Sequence, residues 1–217
     1  MANELKNYMT DNNLYIITGT YMDVCNEAIT NLSQWVDAKP YTDVKENVIF
    51  KPLETIPEHI NVLNVYLASD GGATNVCRTF ITLFNMAKAK NIIIKTHNLS
   101  FANSSASMLA ISGTPGYRYM AHNAMNAIHY GKSTTTINHM DEIQYARQSL
   151  DTHLINMKKI YLESTQLTED ELTRYLSTEY SGELNAAQCL EKGLCDWVIT
   201  PHGWTNNVKD LVDQNIR

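Results

Sequence analysis

Twice in its first half the chain runs a short apolar stretch into glycine and then into apolar residues three and four apart. The first stretch is Leu14-Tyr-Ile-Ile-Thr-Gly19, followed by Val24, Ala28, Leu32 and Trp35. The second covers residues 60–68 and closes on Ser69-Asp-Gly-Gly72, with Val76, Phe80, Leu83, Phe84 and Ala87 striping residues 74–89. A continuous apolar run of this length reads as a buried strand, and a stripe with a period near 3.6 reads as one face of a helix. A β-branched run, Asn91-Ile-Ile-Ile-Lys95, supplies the next strand. Strands that alternate with helices must bury the helix stripes on a sheet, so the fold class is α/β.

The second half continues in shorter elements. Residues 104–111 are small and apolar enough for a tightly packed helix, halted by Gly113, Pro115 and Gly116. Residues 117–121 and 125–129 read as two short strands. Met140, Ile143, Leu150, Leu154, Met157, Ile160 and Tyr161 keep helical spacing over several turns. Thr168 with Glu171, and Asn185 with Gln188, have the spacing of capping boxes, and Gly193 is a helix stop. Residues 195–199 make a last strand before a polar tail. Residues 39–59 carry three prolines and many charges, and read as a loop or insertion with room for a short strand at 48–50. With no repeat or linker, residues 1–217 read as one domain with its core in 12–200.

Charge and cysteine placement exclude several functions. The net charge is −6 with no basic run, which argues against a phosphate-backbone partner, so no nucleic acid is expected. Cys25, Cys77, Cys189 and Cys195 lack CxxC spacing and read as reduced core residues; no metal or cofactor is implied. The start lacks a signal-peptide pattern and no run approaches a membrane span, so a cytoplasmic location without membrane contact is expected.

Three stretches have chemical potential. Gly71-Gly72 follows a strand, where glycine lets a backbone turn sharply and approach a ligand; a plain turn explains it equally. Ser104-Ser-Ala-Ser-Met108 opens a helix, where N–H groups stabilise negative charge; capping and packing are the simpler account. His129 ends an apolar strand, but nothing local separates it from His97 or His122. A Ser–His hydrolase needs hydroxyl and imidazole within hydrogen-bond reach, which spacing alone does not demonstrate.

Taken in order, these stretches resemble the proteolytic subunit of the Clp protease (ClpP). Residues 60–72 resemble the family's strand and Pro-Gly-Gly turn, with Asp70 in place of proline. Ala106-Ser107-Met108 is similar to its Ala-Ser-Met-Gly motif, with Leu109 in place of glycine. Asn126-Ala-Ile-His129 resembles the strand bearing the histidine, and residues 139–164 resemble the handle helix that interlocks two rings. Leu184-Asn-Ala-Ala187 through Gly193-Leu-Cys-Asp196 is similar to the family's ending.

The resemblance implies a ClpP/crotonase-like spiral of ββα units with a protruding handle helix. It implies Ser107 as nucleophile, His129 as base, and the N–H groups of Gly72 and Met108 as the oxyanion hole. The third triad position falls on Ser181, which lacks the charge of the usual aspartate, leaving Glu179, Glu183 or a bare dyad as alternatives. The implied activity is ATP-independent hydrolysis of peptides and unfolded proteins inside a heptameric or double-heptameric ring of copies. Any Clp ATPase docking is expected to be altered or absent, because the segment before the first strand is short and residues 41–59 look inserted. The alternatives are a catalytically degenerate ring subunit and a crotonase-like acyl-CoA enzyme.

Overall fold

The computed structural model describes residues 8–16, 25–39, 61–130, 139–177 and 182–213. In chain order these form β1 (Tyr8–Thr10), β2 (Asn13–Ile16), α1 (Cys25–Ala38), β3 (Val62–Ser69), α2 (Thr74–Ala89), β4 (Ile93–Asn103) and α3 (Ser105–Ile111). There follow β5 (Arg118–Ala121), β6 (Met125–Ile128), α4 (Met140–Ser164), α5 (Glu169–Tyr175), β7 (Gly182–Asn185), α6 (Ala186–Glu191), β8 (Trp197–Thr200), β9 (Gly203–Thr205) and α7 (Val208–Asp213). The architecture is mixed α/β.

The described strands join in one sheet of order β1-β2-β3-β4-β5-β8-β9, with β6 and β7 branching from β4. β2, β3, β4, β5 and β8 run parallel, and the two edges are antiparallel ribbons. One face of β3 is buried through Leu63, Val65, Leu67 and Ser69. Ala28, Leu32 and Val36 of α1 and Cys77, Phe80, Leu83, Phe84 and Ala87 of α2 are buried in the same core. The periodic stripe read from the sequence is therefore the packed face, with Cys77 rather than Val76 fully inside.

β4 spans more than its apolar run suggests. Its first part pairs with β5 through Thr96, His97 and Asn98, and its end pairs with β6 through Phe101, Ala102 and Asn103. Between them the register against β3 shifts, so Leu67 faces Asn98 but Ser69 faces Ala102. This irregularity carries β4 from one set of neighbours to the next.

Tyr15, Tyr66, His97 and Tyr119 stand in one register row across β2, β3, β4 and β5. Their rings stack at centroid distances of 5.0, 4.8 and 4.9 Å, and Trp204 closes the row edge-on at 5.1 Å. Burial, reinforced by Lys95, lowers the His97 pKa from 6.5 to about 4, and its Nε2 has no hydrogen-bond partner among the described residues. Between those values the unfolded chain binds a proton that the fold refuses, so stability is complete above pH 6.5 and falls as pH drops towards 4. The loss at pH 4 amounts to roughly 2–3 kcal/mol. Urea unfolding at pH 7 and pH 4 should show this loss in the native protein and less of it in His97→Phe, which keeps a stacking ring. Equal losses in the two proteins would refute the account.

On the far side of the sheet Arg118 and Asp196 form a largely buried bidentate pair, Nε–Oδ2 2.9 Å and Nη2–Oδ1 2.6 Å. Asp196 also accepts from the N–H groups of Gly116 and Arg118, and Arg118 Nη1 donates to the Ser164 carbonyl. A buried pair is tolerable only when its remaining donors and acceptors are met in this way. The bonds tie the end of α4 to β5 and the start of β8. Both expected capping boxes are present, on α5 and α6, and Gly193 follows α6 with a φ of 69°. The polar tail holds β9 and α7, which the sequence reading missed along with β1 and β7. Residues 40–60, with most of the expected insertion and its short strand, lie outside the described residues.

Candidate active site

β4 ends at Asn103 and α3 begins at Ser105, so Ser104 alone turns the chain from strand to helix. It does so at φ 56° and ψ −126°, where a side chain crowds its own backbone. Such a conformation costs about 1–3 kcal/mol and persists only where the surroundings enforce it. Backbone contacts enforce it here. Ser104 N donates to the Ala127 carbonyl at 2.8 Å, and the Ser104 carbonyl accepts from Ser107 N at 3.0 Å. Serine at a helix start ordinarily bonds to that helix's N–H groups, but Ser104 makes no such cap. Ser104, half-buried as a residue, sits at a strained strand-to-helix turn, the kind of junction that carries a serine nucleophile in other hydrolase folds.

Gly71 is what lets this turn fit. At φ 93° it lies so close that a Cβ there would meet the Asn103 carbonyl oxygen at 2.6 Å, Ser104 Cβ at 2.9 Å and Ser105 N at 3.0 Å. Ser105 Oγ donates to the Gly72 carbonyl at 3.1 Å, and Asn103 Nδ2 donates to Asp70 at 3.0 Å. The glycine turn after β3 and the serine turn after β4 are thus pinned side by side.

His129 follows β6. Parallel pairing sets Asn103 beside Ala127, so Ser104 is one residue beyond that pair on its strand and His129 two beyond on the other. Its Nδ1 is 2.8 Å from the Tyr130 carbonyl. A carbonyl only accepts, so in the neutral ring Nδ1 carries the proton and Nε2 keeps a lone pair, the tautomer a general base requires. Among the described residues no carboxylate is bonded to this ring. Glu183 is exposed on β7, while Ser181 and Glu179 lie outside the described residues.

Two expected site residues stand elsewhere. Ser107 is fully buried and does not meet His129: its Oγ donates to Asn126 Oδ1 at 2.6 Å and accepts from the Tyr161 hydroxyl at 2.8 Å. A hydroxyl enclosed in this way has no path to a substrate carbonyl. Met108, the expected oxyanion donor beside it, is buried within α3 rather than at its first residue. Gly72 lies in the glycine turn, half-buried at φ 144°. Three serines crowd the helix start, Ser104, Ser105 and Ser107, and only the strand–helix junction sets Ser104 apart from the other two.

Burial suppresses thiolate formation at Cys189 and Cys195. Cys77, Cys189 and Cys195 are buried thiols. Burial, with Asp196 nearby, pushes the Cys195 thiol up to about 12, and burial raises Cys189 as well. Neither supplies a thiolate near neutral pH. Among the described residues no cluster of His, Cys, Asp or Glu could hold a metal ion, and no helix is long and apolar enough to cross a membrane.

The model of the Clp protease family matches residues 15–202, a span that includes β3, the glycine turn, Ser104, His129 and β8. No curated protein matches the chain.

Proposed function

The chain belongs to the Clp protease family, and from that premise we propose that it is an ATP-independent serine peptidase subunit with Ser104 as nucleophile and His129 as base. The observation that carries this is the strained, uncapped turn at Ser104. Ser104 Oγ attacks the scissile carbonyl carbon while His129 Nε2 takes its proton, and the imidazolium then protonates the leaving amine. Water hydrolyses the acyl-enzyme by the same two groups in reverse order of use. The N–H groups of Gly72 and of Ser105, the residue after the nucleophile, receive the oxyanion.

The Tyr130 carbonyl takes over the orienting part of a third triad residue, because it fixes the imidazole tautomer. It has no full charge to stabilise the imidazolium, so turnover is slower than in a complete triad. Copies of the chain form a ring that encloses the sites, and selection is by access of peptides and unfolded segments to the chamber. A Clp ATPase is the class of partner that would feed such a chamber.

A fluorophosphonate probe tests the assignment, since it forms a bond only with an activated serine. Tandem mass spectrometry of the modified peptide should place the adduct on Ser104. An adduct on Ser107 would overturn the choice of nucleophile. No adduct at all would favour the second reading, a ring subunit without turnover, which the missing carboxylate partner of His129 among the described residues supports.

A further inference from the structure

We propose that Asn126, Ser107 and Tyr161 form a positioning relay that fixes the distance between nucleophile and base; the inference rests on reading Ser104 and His129 as that pair. Ser107 lies three residues after Ser104 on α3, and Asn126 three residues before His129 on β6. Their 2.6 Å bond therefore joins the two functional elements one short step from each reacting group. A second link, Ser104 N to the Ala127 carbonyl, joins the same elements at the turn itself. One link between a helix and a strand leaves the helix free to rotate about it, whereas two links fix rotation as well as distance.

Tyr161 ties a third element into the arrangement. Its hydroxyl, on α4, donates to Ser107 Oγ at 2.8 Å. Asn126 Oδ1 only accepts, so Ser107 spends its one proton there and receives from Tyr161. Relative exposures are 2%, 0% and 1% for Asn126, Ser107 and Tyr161. Burial holds the Tyr161 phenol well above its ordinary pKa, which keeps it a donor throughout the working range. In so dry a place, breaking one bond leaves a partner unsatisfied, so the chain resists any shift of α3 against β6. Nothing in this network touches substrate, and its action is on geometry alone. Displacement of a reacting group by about 1 Å costs on the order of 100-fold in rate.

The test compares the full-length native protein with Ser107→Ala, with Tyr161→Phe, and with the triple variant Ser107→Ala/Asn126→Leu/Tyr161→Phe. The readouts are kcat and KM on a fluorogenic peptide, the rate and site of fluorophosphonate labelling, and the melting temperature. Ser107→Ala and Tyr161→Phe should lower kcat and the labelling rate by about 10- to 100-fold, with KM nearly unchanged and the adduct still on Ser104. The triple variant leaves no orphaned partner in the relay, so its melting temperature should recover while kcat stays low. That split separates positioning from stability. A folded Ser107→Ala protein with native kcat overturns the relay, as does a triple variant whose kcat recovers with its melting temperature. Should Ser107→Ala fail to fold, Tyr161→Phe removes a single oxygen and carries the same expectation. Absence of labelling in the native protein overturns the hydrolase reading and the relay with it; normal labelling in native and variant proteins alike overturns the relay alone.

Discussion

Ser104→Ala is expected to lower peptide hydrolysis by at least about 10,000-fold while leaving the fold intact. The large kinetic effect follows from removing the atom that forms the covalent acyl bond to substrate in the proposed mechanism. The small structural effect follows from the local geometry: the hydroxyl does not cap α3, and the turn is held by backbone bonds that alanine retains. A merely structural serine would behave in the opposite way. Stability should stay within about 0.5–1 kcal/mol of the native protein, as expected where no cap is lost. The measurement is kcat/KM on a fluorogenic peptide beside urea unfolding of the same preparation. Residual activity within 10-fold of native would remove Ser104 from the mechanism.

Gly71→Ala is expected to damage both activity and stability. Alanine at φ 93° is strained, and its Cβ would stand 2.6 Å from the Asn103 carbonyl oxygen. That oxygen is backbone, so relief requires the β4–α3 junction to move rather than a side chain to swing aside. Movement there displaces Ser104, and kcat should fall on the order of 100-fold. Stability should fall by about 1–3 kcal/mol from the strained conformation and the forced shift. Gly203→Ala is the matched control, because Gly203 has φ 119° but nothing within 4 Å of an added Cβ. It should cost some stability and no activity. Equal activity loss in the two variants would show that glycine strain in general, not the contact with the serine turn, is responsible.

Much of the fold was legible because burial leaves a periodic trace. The helix expected at residues 74–89 has those bounds, and the apolar run before it is β3 within two residues. β4 read short because its later inward positions include Thr96 and Asn98, buried polar residues that interrupt the apolar signal. Thr96 bonds to the Ala110 carbonyl and Asn98 to the Met125 carbonyl, so tertiary partners rather than hydropathy place them inside. β7 and β9 have four and three residues and lie in the sheet by pairing with neighbours, which no local pattern reveals. The site was half legible. The sequence singles out the glycine turn, the serine-rich helix start and His129, and the resemblance of Ala106-Ser107-Met108 points to Ser107, whereas the strained junction favours Ser104, one helical turn earlier, as the proposed nucleophile. A positive φ leaves no mark on a serine's identity, and because β4 read short, the strand–helix junction that sets Ser104 apart was not legible either.

The irregularity in β4 also acts as a counting device. One residue of β3, Ala68, is set against Leu99, Ser100 and Phe101, and only after this offset does pairing resume at Ala102. Side chains alternate along a strand, so the number of residues in the offset decides which way everything downstream points. With one fewer, Ser104 would retreat by about 3.3 Å and turn its hydroxyl to the opposite side. The orientation of the proposed nucleophile is thus a matter of parity, settled several residues before the chain reaches it.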